Sequence, residues 1–171
     1  MTQHQSSVEA RVAVLTVSDT RSIENDRSGS QIVELLTGSG HRLVERELVR
    51  DEMADITNIV SIWAKSSEVD VIIVTGGTGP SPRDVTPEAI GPMLGGSLRG
   101  FGELFRQLSF NEIGAAAMLS RADAGWIVEN SFRTPIFMLP GSPKAVHLAM
   151  RELIIPQLGH LLAVCRGVRT I

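Results

Sequence analysis

One cysteine, Cys165, is the only thiol in 171 residues. A lone thiol excludes an intrachain disulfide and a Cys-rich zinc cage, and it fits a reducing cytoplasm. There is no basic excess either: 16 Lys and Arg face 19 Asp and Glu, for a net charge of −3. A pI of about 5.8 argues against a broad nucleic-acid surface, which needs clustered cations. No apolar run approaches the ~20 residues that cross a bilayer. The polar stretch Met1–Ala10 has no basic segment followed by an apolar one, as a signal peptide would. The expectation is a cytoplasmic protein whose partners are neither membrane nor nucleic acid. Two nucleotide fingerprints are also missing. G-x-G-x-x-G fails because Pro80 follows Gly79 and the next glycine is Gly91, and G-x-x-x-x-G-K-[ST] is absent. His4, His41, His147 and His160 share no metal-ligand spacing.

The apolar share of 43% and charged share of 20% describe an ordinary globular chain. Its length suits one domain. No linker, low-complexity segment or fixed-period repeat divides it, so residues 1–10 read as a flexible arm and 11–171 as a single domain. Its centre is Val71–Ile90. There an apolar β-branched run, Val71 to Val74, breaks into Thr75-Gly76-Gly77-Thr78-Gly79-Pro80. Such a run predicts a strand buried on both faces, as in a parallel sheet. The glycines permit unusual backbone angles and close approach of a ligand. Thr86 and Pro87 read as the cap and first residue of a helix, which leaves Asp84 as a carboxylate not needed for capping.

In chain order, Arg11–Val17 predicts the first strand. Ser28-Gly29-Ser30-Gln31 predicts a capping box and a helix to about Thr37. Leu43–Val49 alternates apolar and charged residues, as a strand near an edge does. Ile56, Ile59, Val60 and Trp63 mark a helix. After the glycine loop a short helix runs to about Leu94, and Gly95-Gly96 breaks the pattern. Phe101, Leu104, Phe105 and Leu108 form a helical stripe, and Glu112–Leu119 continues it or forms another helix. Trp126–Val128 predicts a short strand and Pro135–Leu139 a clear one. Pro140-Gly141-Ser142-Pro143-Lys144 repeats the earlier device of strand end, glycine, cap and Pro. Pro156 interrupts the helix behind it, and a last piece reaches about Cys165. Alternating strands and helices make this an α/β domain with a mostly parallel sheet.

Both glycine turns feed helix N-termini, where free N–H groups and the positive helix end suit an anion. Asp51 and Asp84, each just past a strand, are the candidate carboxylates; Asp51 reads equally well as a helix cap. Ser18, Asp19, Asp26 and Ser28 lie near the first strand's carboxyl end, with Ser28 accounted for by capping. Glu88 reads as a residue stabilising its helix start, Ser142 as a cap, and Lys144 as either a phosphate contact or a solvated lysine. Cys165 reads as a packed thiol.

The ordered set TGGTGPSPRDVTPEA, then Leu119-Ser120-Arg121, then Leu139-Pro140-Gly141-Ser142-Pro143-Lys144 closely resembles the MoaB/Mog family of molybdenum-cofactor biosynthesis, most of all its MoaB members. The resemblance spans about residues 10–165. It implies a three-layer α/β/α fold with one antiparallel strand and assembly as a homotrimer or homohexamer. It also implies an enzymatic activity, Mg-ATP-dependent adenylylation of molybdopterin to give adenylyl-molybdopterin and pyrophosphate. Asp51 and Asp84 then match the family's two essential aspartates and would hold Mg²⁺. Thr75, Gly76, Gly77, Thr78 and Gly79 would cradle phosphate through backbone N–H groups. Thr86 and Glu88 belong to the same substrate-binding stretch, Ser120 maps to the pterin pocket, and Pro140, Gly141 and Ser142 form the second turn. Because the family oligomerises, some of Phe101, Phe105 and Phe110 are expected near a subunit contact. Two other functions stay open. One is a non-catalytic molybdopterin-binding or assembly protein. The other is a CinA-like nucleotide pyrophosphatase, a group that usually shows GGLGPT followed by Asp-Asp.

Overall fold

Side chains alternate between opposite faces of a β-strand, and in β1 (Arg11–Val17) both faces are apolar. Val12 and Val14 join one buried cluster, whereas Ala13, Leu15 and Val17 join another. The strand therefore has to lie between two layers of helices. The same split recurs in β3 (Val71–Thr75), where Val71 and Ile73 face one way and Ile72 and Val74 the other. The computed structural model describes residues 8–167. Its sheet has six strands in the order β2-β1-β3-β6-β5-β4, with β2 Arg42–Val49, β4 Gly96–Ser97, β5 Asp123–Glu129 and β6 Phe132–Leu139. β5 pairs antiparallel with both of its neighbours, and the other pairings are parallel. This is the predicted three-layer α/β/α fold with one reversed strand, and β2 lies at an edge as its charged alternation implied.

One layer holds α1 (Arg27–Gly38), α4 (Arg99–Ile113), α5 (Pro143–Ala149) and α6 (Ile155–Cys165) over Val12, Val14, Ile73 and Phe137. The other holds α2 (Met53–Lys65) and α3 (Thr86–Ile90) over Leu15, Ile72 and Val74. From β1 the chain goes first to β2 on one side, then crosses to β3 on the other. Parallel α/β sheets place ligands at such a switch point, beyond the carboxyl ends of the strands. Those ends are level here: Val17 pairs with Val49, Thr16 with Thr75, and Thr75 with Leu139. Four loops thus leave one rim.

The structure corrects several local expectations. Asp26, not Ser28, caps α1, accepting a 2.9 Å bond from the Gly29 N–H. Thr86 is the first residue inside α3 and makes no side-chain cap; its buried hydroxyl donates to Gly76 O at 2.8 Å instead. Gly95-Gly96 is no mere break, since β4 begins at Gly96 and pairs with Trp126. The Trp126–Val128 strand extends to seven residues because Asn130 and Ser131, both at positive φ, turn it directly into β6. Pro156 does not interrupt its helix. Met150–Ile154 forms a π turn, with Ile155 N–H bonded to Met150 O, and Pro143–Cys165 runs as one 23-residue helix. The wider turn removes the clash a proline imposes on an α-helix. By length and composition that helix could cross a membrane. Val146, Ala149, Met150, Ile154, Leu158 and Leu162 are instead buried against the sheet. Ala10 is fully buried and accepts a bond from Arg42 N–H, so the anchored chain starts before Arg11. Residues 1–7 of the expected arm lie outside the described residues.

Candidate functional site

Gly76 and Gly77 turn the chain away from β3 with φ of +103° and +65°, angles that side chains strongly disfavour. Space is as restrictive as torsion. A methyl group at Gly77 would approach Asp51 Oδ1 to 2.8 Å and collide with Thr86 Oγ1. One at Gly79 would approach Asp84 Oδ2 to 2.7 Å. Both predicted carboxylates are therefore folded over the glycine loop. A cavity of about 610 Å³ joins them, lined by Gly76–Gly79, Asp51 and Asp84, by Val17–Arg21 after β1, by Ser120, and by Pro140–Ser142.

The predicted cradle narrows in the structure. Gly76 N–H donates to Leu139 O at 3.0 Å, and the Thr75 hydroxyl donates to Pro140 O at 2.8 Å. Thr75 and Thr86 are fully buried behind the loop and tie it in place. Among the described residues, the N–H groups of Gly77, Thr78 and Gly79 meet no protein acceptor, leaving them for a ligand. Ser142 is the cap it was predicted to be, accepting from Ala145 N–H at 3.2 Å. Neither Asp26 nor Ser28 lines the cavity. Asp26 is buried among Thr16, Gly29 and Arg46, and the Ser28 hydroxyl donates to Gly141 O at 2.7 Å. Glu88 also lies off the cavity, paired with Arg121. That contact holds its carboxyl below the usual range.

Asp51 is not the cap of α2, a position held by Glu52, so the bland reading of its carboxylate falls away. It is 9% exposed. Burial, then the charges of Asp19 and Asp84, push its carboxyl above the usual range, against a smaller pull from Arg83 and the Asp19 main chain. Asp19 accepts from Asp51 N–H at 3.2 Å and holds Arg83 Nε at 3.0 Å; the Arg83 bond keeps its own carboxyl low. The cavity lining thus carries three acids, Asp19, Asp51 and Asp84, and one base, Arg21. Among the described residues, no group of three or more His, Cys, Asp or Glu is gathered tightly enough to hold a metal unaided. That donor set fits Mg²⁺, which takes one or two carboxylates and completes its shell with phosphate oxygens and water.

Two arginines were missed by the sequence reading. Arg21 donates to Ser28 Oγ at 3.2 Å beside the Gly141 turn, and only its place three residues after Ser18 hinted at the site. Arg121 directly follows Ser120 in the Leu119-Ser120-Arg121 stretch, and the carbonyl partners of its side chain lie in a distant loop that no local pattern indicates.

A three-layer α/β domain with free loop amides and two carboxylates at its switch point has the arrangement in which α/β proteins of this class bind phosphate-bearing ligands. The chain belongs to the family described as the probable molybdopterin binding domain, whose model matches residues 13–160. It is 44% identical over 164 residues to molybdenum cofactor biosynthesis protein B of Bacillus cereus, covering 94% of this chain and 95% of that one. A crystal structure of a molybdenum cofactor biosynthesis protein B superposes with a TM-score of 0.88 at 42% identity, over 95% of this chain and 99% of the other. The tungsten cofactor synthesizing protein MoaB of Pyrococcus furiosus gives 0.84 at 35% identity, over 92% and 98%.

Proposed function

We propose that this protein acts in molybdenum cofactor biosynthesis as a molybdopterin adenylyltransferase, joining molybdopterin to the adenylyl group of ATP with release of pyrophosphate. The observation that carries the reading is the meeting of Asp51, Asp84 and Gly77 at one cavity. The attacking group is the terminal phosphate of molybdopterin. Already ionised, it needs no general base, so the protein's work is to position the reactants and neutralise their charge. Free N–H groups at Gly77–Gly79 and the Gly141–Ser142 turn hold phosphate oxygens, with Arg21 as the cavity's own cation. Asp51 and Asp84 hold Mg²⁺, which when bound supplies charge neutralisation on the triphosphate. Relief of the like-charge repulsion at Asp51 gives that cation a reason to bind. Ser120, on the wall towards β5, faces the pterin end.

The same reading places the protein in the cytoplasm as a homo-oligomer. Phe101 and Phe105 are core residues, so of the three rings only Phe110, 59% exposed, remains for a subunit contact. The deciding assay incubates the protein with molybdopterin, ATP and Mg²⁺. Adenylyl-molybdopterin and pyrophosphate in equal amounts are expected. Tight molybdopterin binding with neither product would make this a binding or assembly protein, and ATP cleavage without molybdopterin would make it a pyrophosphatase.

A further inference from the structure

Between Gly79 and Asp84 the chain makes an excursion, Pro80–Arg83, outside any helix or strand. Both ends are gripped by one side chain. Arg121 Nε donates to Gly79 O at 3.0 Å and Nη2 to Asp84 O at 2.8 Å. Its own N–H donates to Thr78 O at 2.9 Å, and Nη1 pairs with Glu88. From inside the excursion, Ser81 N–H donates to Asp84 Oδ2 at 3.1 Å. The Asp84 main chain is thus held from one side and its carboxylate from the other, while the neighbouring Ser120 lines the cavity.

We infer that Arg121 is the positioning residue for Asp84, a planar fork that fixes the loop so that this carboxylate meets the metal–nucleotide. The inference rests on the adenylyl-transfer reading above. Lysine cannot replace it. An ammonium keeps the charge facing Glu88, yet it is a point donor and cannot span two carbonyls at fixed angles. Charge and fork are therefore separable by substitution.

The test uses Mn²⁺ with ATP, read by the water-proton relaxation enhancement that appears when the Mn²⁺–ATP complex binds protein, alongside the apparent KM for Mg²⁺ in turnover. Arg121→Lys and Arg121→Gln should both weaken Mn²⁺ binding about 10- to 100-fold, the usual effect of removing a partner behind a metal ligand. Glu88→Gln, which leaves the carbonyl grip intact, should stay within about threefold of wild type, inside ordinary context dependence. Circular dichroism melts identify folded variants, and if Arg121→Gln fails to fold, Lys against Glu88→Gln still decides. Folded Arg121→Lys with wild-type Mn²⁺ affinity overturns the inference alone, as does a Glu88→Gln loss equal to that of Lys. Wild-type protein that binds no Mn²⁺ with ATP overturns both the inference and the function it rests on.

Discussion

Asp51 and Asp84 share a cavity but not an environment, so the same substitution has different consequences at each. Asp84 is held in a solvent-reached loop. Asp84→Asn should lower turnover at least about 100-fold, the scale of losing a metal's charge stabilisation, with little change in Tm. Asp51 is buried beside like charge, and its carboxyl lies above the ordinary 3.8. The folded state therefore binds this proton more tightly than the unfolded state does. Stability falls as pH rises from 3.8 through the raised value, and the penalty is constant above it. Asp51→Asn should thus abolish turnover yet raise Tm at neutral pH, the gain vanishing well below pH 3.8. Mg²⁺ with ATP should narrow that gap by stabilising only wild type. Thermal melts across pH and metal check both signs; an Asn variant that melts lower at pH 7 would remove the electrostatic argument for a cation.

Among the elements, the glycine loop is the least tolerant. Gly77→Ala places a side chain at φ +65° and against Asp51 Oδ1 and Thr86 Oγ1. Torsion alone costs about 1–2 kcal/mol, so urea unfolding should show a loss of at least that size, and ATP binding should disappear with it. The pattern of β-branched runs and glycine turns made this element legible from the sequence, down to the residues of the turn. Its fastening was not legible. Thr86 looks like a cap in one dimension because Thr-Pro-Glu is a common helix start. In the fold its hydroxyl has a better use closing on Gly76 O. The helix after β6 carries the same lesson. Proline predicts a break, but the buried stripe on both sides of Pro156 rewards continuity, and the π turn Met150–Ile154 reconciles them.

At the scale of the molecule, the rim opposite the cavity is closed by Asp70. It accepts from Arg11 N, Nε and Nη2 at 2.9–3.0 Å and from Arg166 at 2.6 Å, joining β1, the start of β3 and the end of α6. Burial alone would raise this carboxyl. The Arg11 bonds and the Arg166 charge outweigh it and hold the group below the ordinary 3.8. Its stabilisation is therefore complete above that value and lost as pH falls through the lower folded one. Asp70→Asn should cost roughly 2–4 kcal/mol at neutral pH, by loss of charged hydrogen bonds and a stranded arginine. The variant should also show a flatter acid limb in its stability profile. Association has its own check. If Phe110 meets a second copy, Phe110→Glu should shift sedimentation towards the single chain without lowering the stability of the core.

The alternation of strands and helices apart from β4 and the break expected at Pro156, the two glycine turns, and the positions of Asp51 after β2 and Asp84 after β3 were determined by the sequence itself, because periodicity and glycine preference act within a few residues. The partners of Ser28, Thr86 and Glu88, the narrowing of the cradle to Gly77–Gly79, and the parts taken by Arg21 and Arg121 were decided only by the tertiary structure. Each depends on an acceptor or cavity wall from another segment. Arg121 and Gly79 lie 42 positions apart along the chain, and no local rule says which carbonyl a guanidinium will find.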